Sequence, residues 1–477
     1  MTWLLVAACG VASIPAALRW LRIAQREHYH APEVTRFSVR WWVSSPANLG
    51  LTVLAIIGAV GSIFDPRWGF LVAAAQVGPL GLTLKGVTSP LAWTARLRRL
   101  AVVTGIIVLV VYVIGGLTSQ PLIVVLPLLA LPAVIDFSMW ALAPIEKRMG
   151  DQWVEKATAK LQAIAPDVVA ITGSYGKTTT KNYVAHLLGG SKRVVASPAS
   201  FNNRMGLARA INENLVVGTE VFIAEMGAYG PGEIRELCQW IPPKVAALVS
   251  VGPVHLERFK SIERIVAAKS EILDRAEVGV ICVDHPLLAG LAADRSKTME
   301  IIEVSSEDVV APEGVFAGNL AVAVGICEAL GLPRDEVMGR VGSIPSGEHR
   351  QSVSRGQAGF AIVDDTFNSN PVGALSALAT LRGLASGKLA VITPGMVELG
   401  PRQSAENQAF AKAASAAVDH LVIVGKTNRK ALLSGSGDGR ASVTVVDSRA
   451  EAVEWARENL GPGDGVLYEN DLPDHYP

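Results

Sequence analysis

Charge is scarce in this sequence and cysteine nearly absent. Asp, Glu, Lys and Arg make up 18% of 477 residues, against 50% apolar, a balance beyond the apolar end of the usual soluble range. The shortage is local: the first 150 residues hold nearly all the long uncharged runs, and the remainder reads as a globular protein. Neither sign of charge is in excess, with 43 basic and 43 acidic residues, so there is no electrostatic case for nucleic acid as a partner. The four cysteines, Cys9, Cys238, Cys282 and Cys327, stand apart. That excludes a disulfide framework and closely spaced cysteine metal ligands, and it fits a reducing compartment. A basic segment ahead of the first apolar run is also missing, and four more such runs come after it, so the first reads as a span rather than a signal peptide.

Those five runs are Thr2 to Leu18, Leu49 to Phe64, Trp68 to Leu84, Leu100 to Leu117 and Pro121 to Ala143, each near the length that crosses a bilayer. Arg19, Arg22, Arg26, Arg36 and Arg40 fill the first connection, and Lys85, Arg96, Arg98 and Arg99 fill the third. Positive residues stay inside, so five spans deliver Lys147 and Arg148 to the cytoplasmic side. Asp136 is the one ionisable residue inside a span. Its plain reading is a helix-packing hydrogen bond or a place near the headgroups, the other being a part in transport or substrate handling.

The chemistry begins at residue 168. Val168 to Ile171 is a short β-branched run, followed by Thr172-Gly173-Ser174-Tyr175-Gly176-Lys177-Thr178-Thr179-Thr180 and a helical pattern over Asn182 to Leu188. In a strand, glycine loop and helix, backbone N–H groups can turn toward phosphate oxygens, the helix start favours anions and the lysine adds a point charge. Thr178 is placed to hold magnesium. Val221 to Ala224 is another apolar strand, ending in Glu225. A carboxylate at the carboxyl end of a strand in an open α/β sheet lies where ligands gather, and Mg²⁺ takes one or two carboxylates together with phosphate oxygens.

The loop is two residues shorter than the common P-loop. In this, and in the order of the segments after it, the chain resembles the Mur ligases, most closely their D-alanyl-D-alanine-adding branch. Phe201-Asn202-Asn203 is similar to the family's Asn-rich loop, and Val254-His255-Leu256-Glu257 to its His-Leu-Glu segment. Ala267-Ala268-Lys269-Ser270-Glu271 is similar to a segment whose lysine is carbamylated in much of the family. Gly318-Asn319, opening an amphipathic helix through Leu330, resembles the helix whose asparagine approaches adenine, and Glu348-His349-Arg350 the segment whose arginine reaches the terminal phosphate across a domain boundary. Asp364-Asp365-Thr366-Phe367-Asn368-Ser369-Asn370-Pro371 resembles the turn whose acid contacts the ribose.

The resemblance implies roles for these residues. Gly173, Ser174, Tyr175, Gly176, Lys177, Thr178, Thr179, Asn319, Arg350 and Asp365 bind ATP. Thr178, Glu225 and His255 hold Mg²⁺. Lys177, Lys269, His255 and Arg350 carry the catalytic step, with a carbamate on Lys269. Asn202, Asn203, Asn368 and Asn370 face the substrates. Without the family, His255 reads as a hydrogen-bonded surface histidine and Lys269 as an exposed helical lysine paired with Glu271 or Glu263.

The expected fold is a multi-span α-helical membrane region at 1–150, an α/β P-loop Mur ligase central domain at 151–345 and a smaller Rossmann-like C-terminal domain at 346–477, the sheets parallel because short strands alternate with helices such as Asn407 to Val418 and Arg449 to Asn459. Membrane runs stand where the family has a soluble sugar-nucleotide-binding domain, the stretch between Ile272 and Gly318 is short, and the carboxyl end from Leu467 lacks a Lys-Gly-Ser-Arg segment. The implied function is an ADP-forming acid–amino acid ligase working through an acyl phosphate in cell-wall (peptidoglycan) precursor synthesis. Its amine donor is an amino acid or dipeptide, its acceptor a carboxylate on a lipid-linked or membrane-proximal precursor or on a soluble one, and its location the cytoplasmic membrane, in contact with lipid. Two alternatives stay open: a ligase of a polyglutamate, capsule-polymer or cofactor pathway, and a retired nucleotide-binding membrane protein.

Overall fold

The structure is a computed structural model describing residues 1–84, 90–198, 201–254, 256–312, 314–345, 352–355, 359–366, 369–472 and 476. It divides into two compact units. The first comprises Met1–Arg148 with the segments Gly425–Thr427 and Leu472–Pro477, and the second comprises Met149–Val424 and Asn428–Asp471.

Among the described residues of the first unit, two helices are long and apolar enough to cross a membrane, Thr2–Arg26 and Ala95–Leu117. Two bent pairs, Glu33–Trp42 with Pro46–Gly61 (109°) and Pro121–Leu129 with Leu131–Ile164 (71°), raise the number to four if each is one span. The third expected span is corrected. Trp68 to Leu84 contains only the helix Gly69–Ala75, of 7 residues, about 10 Å long, because Gly78, Pro79 and Gly81 prevent its continuation. The backbone beyond that helix is irregular, and irregular backbone in an apolar setting needs internal partners. The Arg19 guanidinium donates to the carbonyls of Gln76, Val77 and Gly78 at 3.1, 3.0 and 2.7 Å. Asn48 accepts from the Leu80 N–H at 2.6 Å and donates to its carbonyl at 3.2 Å.

Asp136 takes its plain reading. It is buried, and its carboxylate accepts from the backbone N–H groups of Val34 at 3.3 Å and Thr35 at 2.9 Å, and from the Thr35 hydroxyl. These are first-turn groups of Glu33–Trp42 that the helix itself leaves without partners.

The second unit holds two sheets. In the first, β1 (Asp167–Thr172), β2 (Val194–Ala196), β3 (Val221–Glu225), β4 (Val245–Leu248), β5 (Val278–Cys282) and β6 (Glu300–Val304) lie in the order β2-β3-β1-β4-β5-β6, all parallel. Strand β1 is central and buried from Val168 onward, which explains its unbroken apolar reading. The second sheet contains β7 (Ser352–Arg355), β8 (Ala361–Asp365), β9 (Leu389–Thr393), β10 (His420–Val424), β11 (Ser442–Val446) and β12 (Gly465–Glu469), ordered β11-β10-β9-β12-β8-β7. Its expected parallel pairing holds except at the edge, where β7 runs antiparallel to β8.

The helix Ala317–Ala329 corrects a second expectation. It is not amphipathic: every residue from Leu320 to Cys327 is buried, because it packs on the sheet beside the helix Lys177–Leu188 within one apolar cluster.

Candidate nucleotide and metal site

The phosphate loop leaves β1 at Thr172 and enters the helix Lys177–Leu188 through Gly176, whose φ is +76°. A side chain there would be strained in the left-handed region and would also meet the Asn319 amide at 2.7 Å. The loop is tied to the chain just past β4. Ser174 N–H donates to the Ser250 carbonyl and Tyr175 N–H to the Ser250 hydroxyl, both at 2.9 Å, and that hydroxyl donates back to the Tyr175 carbonyl at 2.9 Å. The Ser174 hydroxyl accepts from the Gly252 N–H at 3.0 Å. The loop is thus preformed, and Ser250, which sequence reasoning passed over, is its main anchor.

Lys177 folds back on this loop, donating to the Gly173 carbonyl at 2.8 Å and the Ser174 carbonyl at 3.4 Å. Thr178, one position on, donates its hydroxyl to Glu225 Oε2 at 2.8 Å. Asn202 donates to Glu225 Oε1 at 3.2 Å, and the Ser197 hydroxyl accepts from the Glu225 N–H at 3.2 Å. The side chains of Glu225 and Lys181 are each 2% exposed, with Lys181 Nζ 3.3 Å from Glu225 Oε2. Sequence reasoning missed Lys181, although its spacing of four from Lys177 and three from Thr178 puts all three on adjoining faces of one helix.

Lys269 is buried at the end of the helix Ile262–Ser270. Burial, and after it the neighbouring Lys177 ammonium, hold its amine well below the usual lysine range. Glu271 is engaged elsewhere, its carboxylate accepting from the backbone N–H groups of Gly232 and Arg235. Burial pushes the Tyr175 phenol up, and its hydroxyl is buried with no hydrogen-bond partner among the described residues.

The remaining expected residues divide into three groups. Asn319 touches the loop, its amide donating to the Gly176 carbonyl at 3.4 Å, and Thr179 lies in the first turn beside it. Asp365, buried, ends β8 in the second sheet. Asn203 and Asn370 cap helices through their side-chain oxygens, accepting from Gly206 N–H and Gly373 N–H at 2.9 Å each. His255, Arg350 and Asn368 lie outside the described residues.

No group of three or more His, Cys, Asp or Glu side chains that could hold a metal occurs among the described residues. One hydroxyl beside one carboxylate, next to a phosphate loop, fits instead a hard cation that brings phosphate and water oxygens of its own. Thr178 and Glu225 meet that requirement.

Two family models match. The Mur ligase middle domain covers residues 171–320, and the Mur ligase, glutamate ligase domain covers 349–468. UDP-N-acetylmuramoyl-tripeptide--D-alanyl-D-alanine ligases are similar over 65% of the chain. The protein from Mycobacterium leprae is 29% identical over 378 residues, 65% of this chain and 72% of that one, and one from Mycobacterium tuberculosis is 30% identical over 369 residues, 65% and 71%. Among solved structures, MurF ligase from Thermotoga maritima in complex with ADP is 25% identical with a TM-score of 0.58, covering 68% of this chain and 80% of that one. MurF from Acinetobacter baumannii gives 0.59 at 21% identity, covering 67% and 77%. The segments from the phosphate loop to the end of the second sheet therefore have one origin, and the chain belongs to the Mur ligase family of ATP-dependent, ADP-forming ligases.

Proposed function

We propose that this ligase is anchored in the cytoplasmic membrane by several passes and joins a precursor carboxylate to an amino acid or dipeptide amine during peptidoglycan precursor synthesis. The observation that carries the reading is the meeting of Thr178 and Glu225 beside one preformed phosphate loop whose lysine is Lys177. In the proposed reaction a carboxylate oxygen attacks the γ-phosphorus of ATP, the bond to the bridging oxygen breaks and ADP departs. The amine nitrogen then attacks the acyl carbon, phosphate leaves with its electron pair and the nitrogen loses a proton.

Lys177 turns from the loop carbonyls to the phosphates. A bound Mg²⁺, held by Thr178 and Glu225, with His255 serving a second ion, supplies charge neutralisation for the transferring group. Asn319 lies on the adenine side, Asp365 meets the ribose, and Arg350 reaches the terminal phosphate. The depressed Lys269 amine is the form that captures carbon dioxide as a carbamate. Asn202, Asn203, Asn368 and Asn370 form the substrate side. We place the domains at 1–150, 151–345 and 346–477.

By name, the relatives act on a UDP-N-acetylmuramoyl-tripeptide and D-alanyl-D-alanine. For this chain we favour a lipid-linked or membrane-proximal acceptor, because the family matches begin only at residue 171 and apolar helices precede them. Contacts of Gln25 with Ala92 join the first and third connections, and Arg22 reaches Thr83 at the end of the third run. That supports counting both basic clusters on the cytoplasmic side.

The test uses full-length protein in nanodiscs, with phosphate release from Mg-ATP followed across amino acids and dipeptides, with and without lipid-linked precursor or UDP-linked muramoyl peptides, and with Lys177→Ala as blank. Release that needs both an amine and the lipid-linked acceptor supports the reading. Release with the UDP-linked acceptor alone moves the substrate to the soluble pool, and tight ATP binding without turnover on any acceptor overturns the ligase assignment.

A further inference from the structure

Lys181 has no part in the roles assigned above, yet its ammonium is buried in the site. Its side chain and that of Glu225 are each 2% exposed, with 3.3 Å between Nζ and Oε2. The same Oε2 accepts from Thr178 at 2.8 Å, while Oε1 accepts from Asn202 at 3.2 Å. The carboxylate is therefore held on both oxygens, with Thr178 and a lysine one helical turn on sharing Oε2 and Asn202 holding Oε1. A buried cation in contact with a buried carboxylate leaves little net charge to attract a bare divalent ion, whereas an ion already carrying phosphates brings its own negative charge.

We propose that Lys181 is a positioning residue for the metal: it aims Glu225 at Thr178 and keeps the site weak for a free divalent cation, so that metal and nucleotide bind together. This rests on the assignment of Thr178 and Glu225 to metal. Lys177, the family's phosphate-loop lysine, serves the phosphates. Lys181 acts on the protein's own ligand, and the two lysines of one helix divide the work between the two halves of a metal–nucleotide complex.

The test is Mn²⁺ binding to the full-length protein, followed by electron paramagnetic resonance with and without ADP, for wild type, Lys181→Met, Lys181→Arg, Glu225→Gln and the double variant Lys181→Met/Glu225→Gln. Without nucleotide, Lys181→Met binds Mn²⁺ roughly tenfold or more tightly than wild type, a conservative share of the attraction expected for one uncovered charge at this distance. With ADP the gap between the two narrows, so the coupling between nucleotide and metal falls. Lys181→Arg restores the wild-type pattern. The double variant, with neither buried charge, loses the gain and keeps the interpretation clear should Lys181→Met alone fold poorly.

Equal or weaker Mn²⁺ binding by a folded Lys181→Met, while Glu225→Gln still weakens the ADP-bound metal, overturns the role of Lys181 and leaves the metal assignment standing. Indifference of the ADP-bound metal to Glu225→Gln overturns both.

Discussion

Thr178 and Glu225, 47 residues apart in sequence, meet through a 2.8 Å hydrogen bond from hydroxyl to Oε2. One stands on the first turn of the helix after β1 and the other at the carboxyl end of β3, the strand paired to β1 in register Ile171 to Glu225. Parallel pairing of β1 with β3 is thus what brings the two together. Thr178→Ala and Glu225→Gln are each expected to lower kcat/KM by roughly 10²- to 10³-fold, the range typical of a lost charge-stabilising group. The double variant should be little worse than either, because residues that act as a unit are not additive. Steady-state ADP release across a Mg²⁺ titration measures this, and additive losses would separate the two residues.

Lys269 makes a pH-dependent prediction. Its amine is depressed when folded, so between the folded value and the ordinary lysine value the unfolded chain binds more protons and stability rises with pH. Below that window the buried charge is fully destabilising. Lys269→Met, assayed in carbon-dioxide-free buffer, should therefore melt above wild type near neutral pH, with the gap closing as pH climbs toward the ordinary lysine range. The same variant should have no ligase activity, and wild type should lose activity on carbon dioxide depletion and regain it with bicarbonate. A wild-type protein indifferent to bicarbonate sinks the carbamate.

Much of the second unit was legible because its signals are local. A β-branched run before a glycine loop gives β1 within one residue at each end, and the helix Arg449–Asn459 is placed to its ends, whereas the helix after the loop starts at Lys177, five residues ahead of the expected Asn182. Long-range facts were not legible. That Ser250 anchors the loop, or that Lys181 lies against Glu225, depends on sheet order and on which helix face packs inward. The first unit shows the converse failure. Apolar content over Trp68 to Leu84 reads as a span, but Pro79 and the glycines around it set the backbone, and Arg19 and Asn48 satisfy that backbone from elsewhere in the chain.

Asp136 should prove structural. It serves the Glu33–Trp42 helix by accepting from two backbone N–H groups and one hydroxyl. Asp136→Ala strands those donors and is expected to cost about 1–3 kcal/mol, seen as a lower melting temperature of the detergent-solubilised protein. KM for the amine and for ATP should not move. A normal melting temperature with altered KM would reverse the assignment and make this acid part of substrate handling.

Glu469 closes β12, and it is fully buried. Its two oxygens accept from the hydroxyls of Ser369 and Thr393, so one carboxylate joins the turn after β8 to the end of β9. Burial raises this carboxyl above the ordinary glutamate value, and the two hydroxyl bonds oppose the rise. The folded chain therefore binds more protons than the unfolded one between the ordinary value and the folded one, and stability increases as pH falls through that interval. Above it the buried charge is a standing cost, so Glu469→Gln should melt higher than wild type at pH 8, with the advantage shrinking as pH falls toward the ordinary carboxylate range. Leu467→Ala, a cavity in the same strand, should instead cost about 2–5 kcal/mol with no such pH trend. Thermal melts of the three proteins from pH 8 downward separate the cases, and a Glu469→Gln protein less stable than wild type at every pH would mean that the two hydroxyl bonds to the ionised carboxylate outweigh its burial.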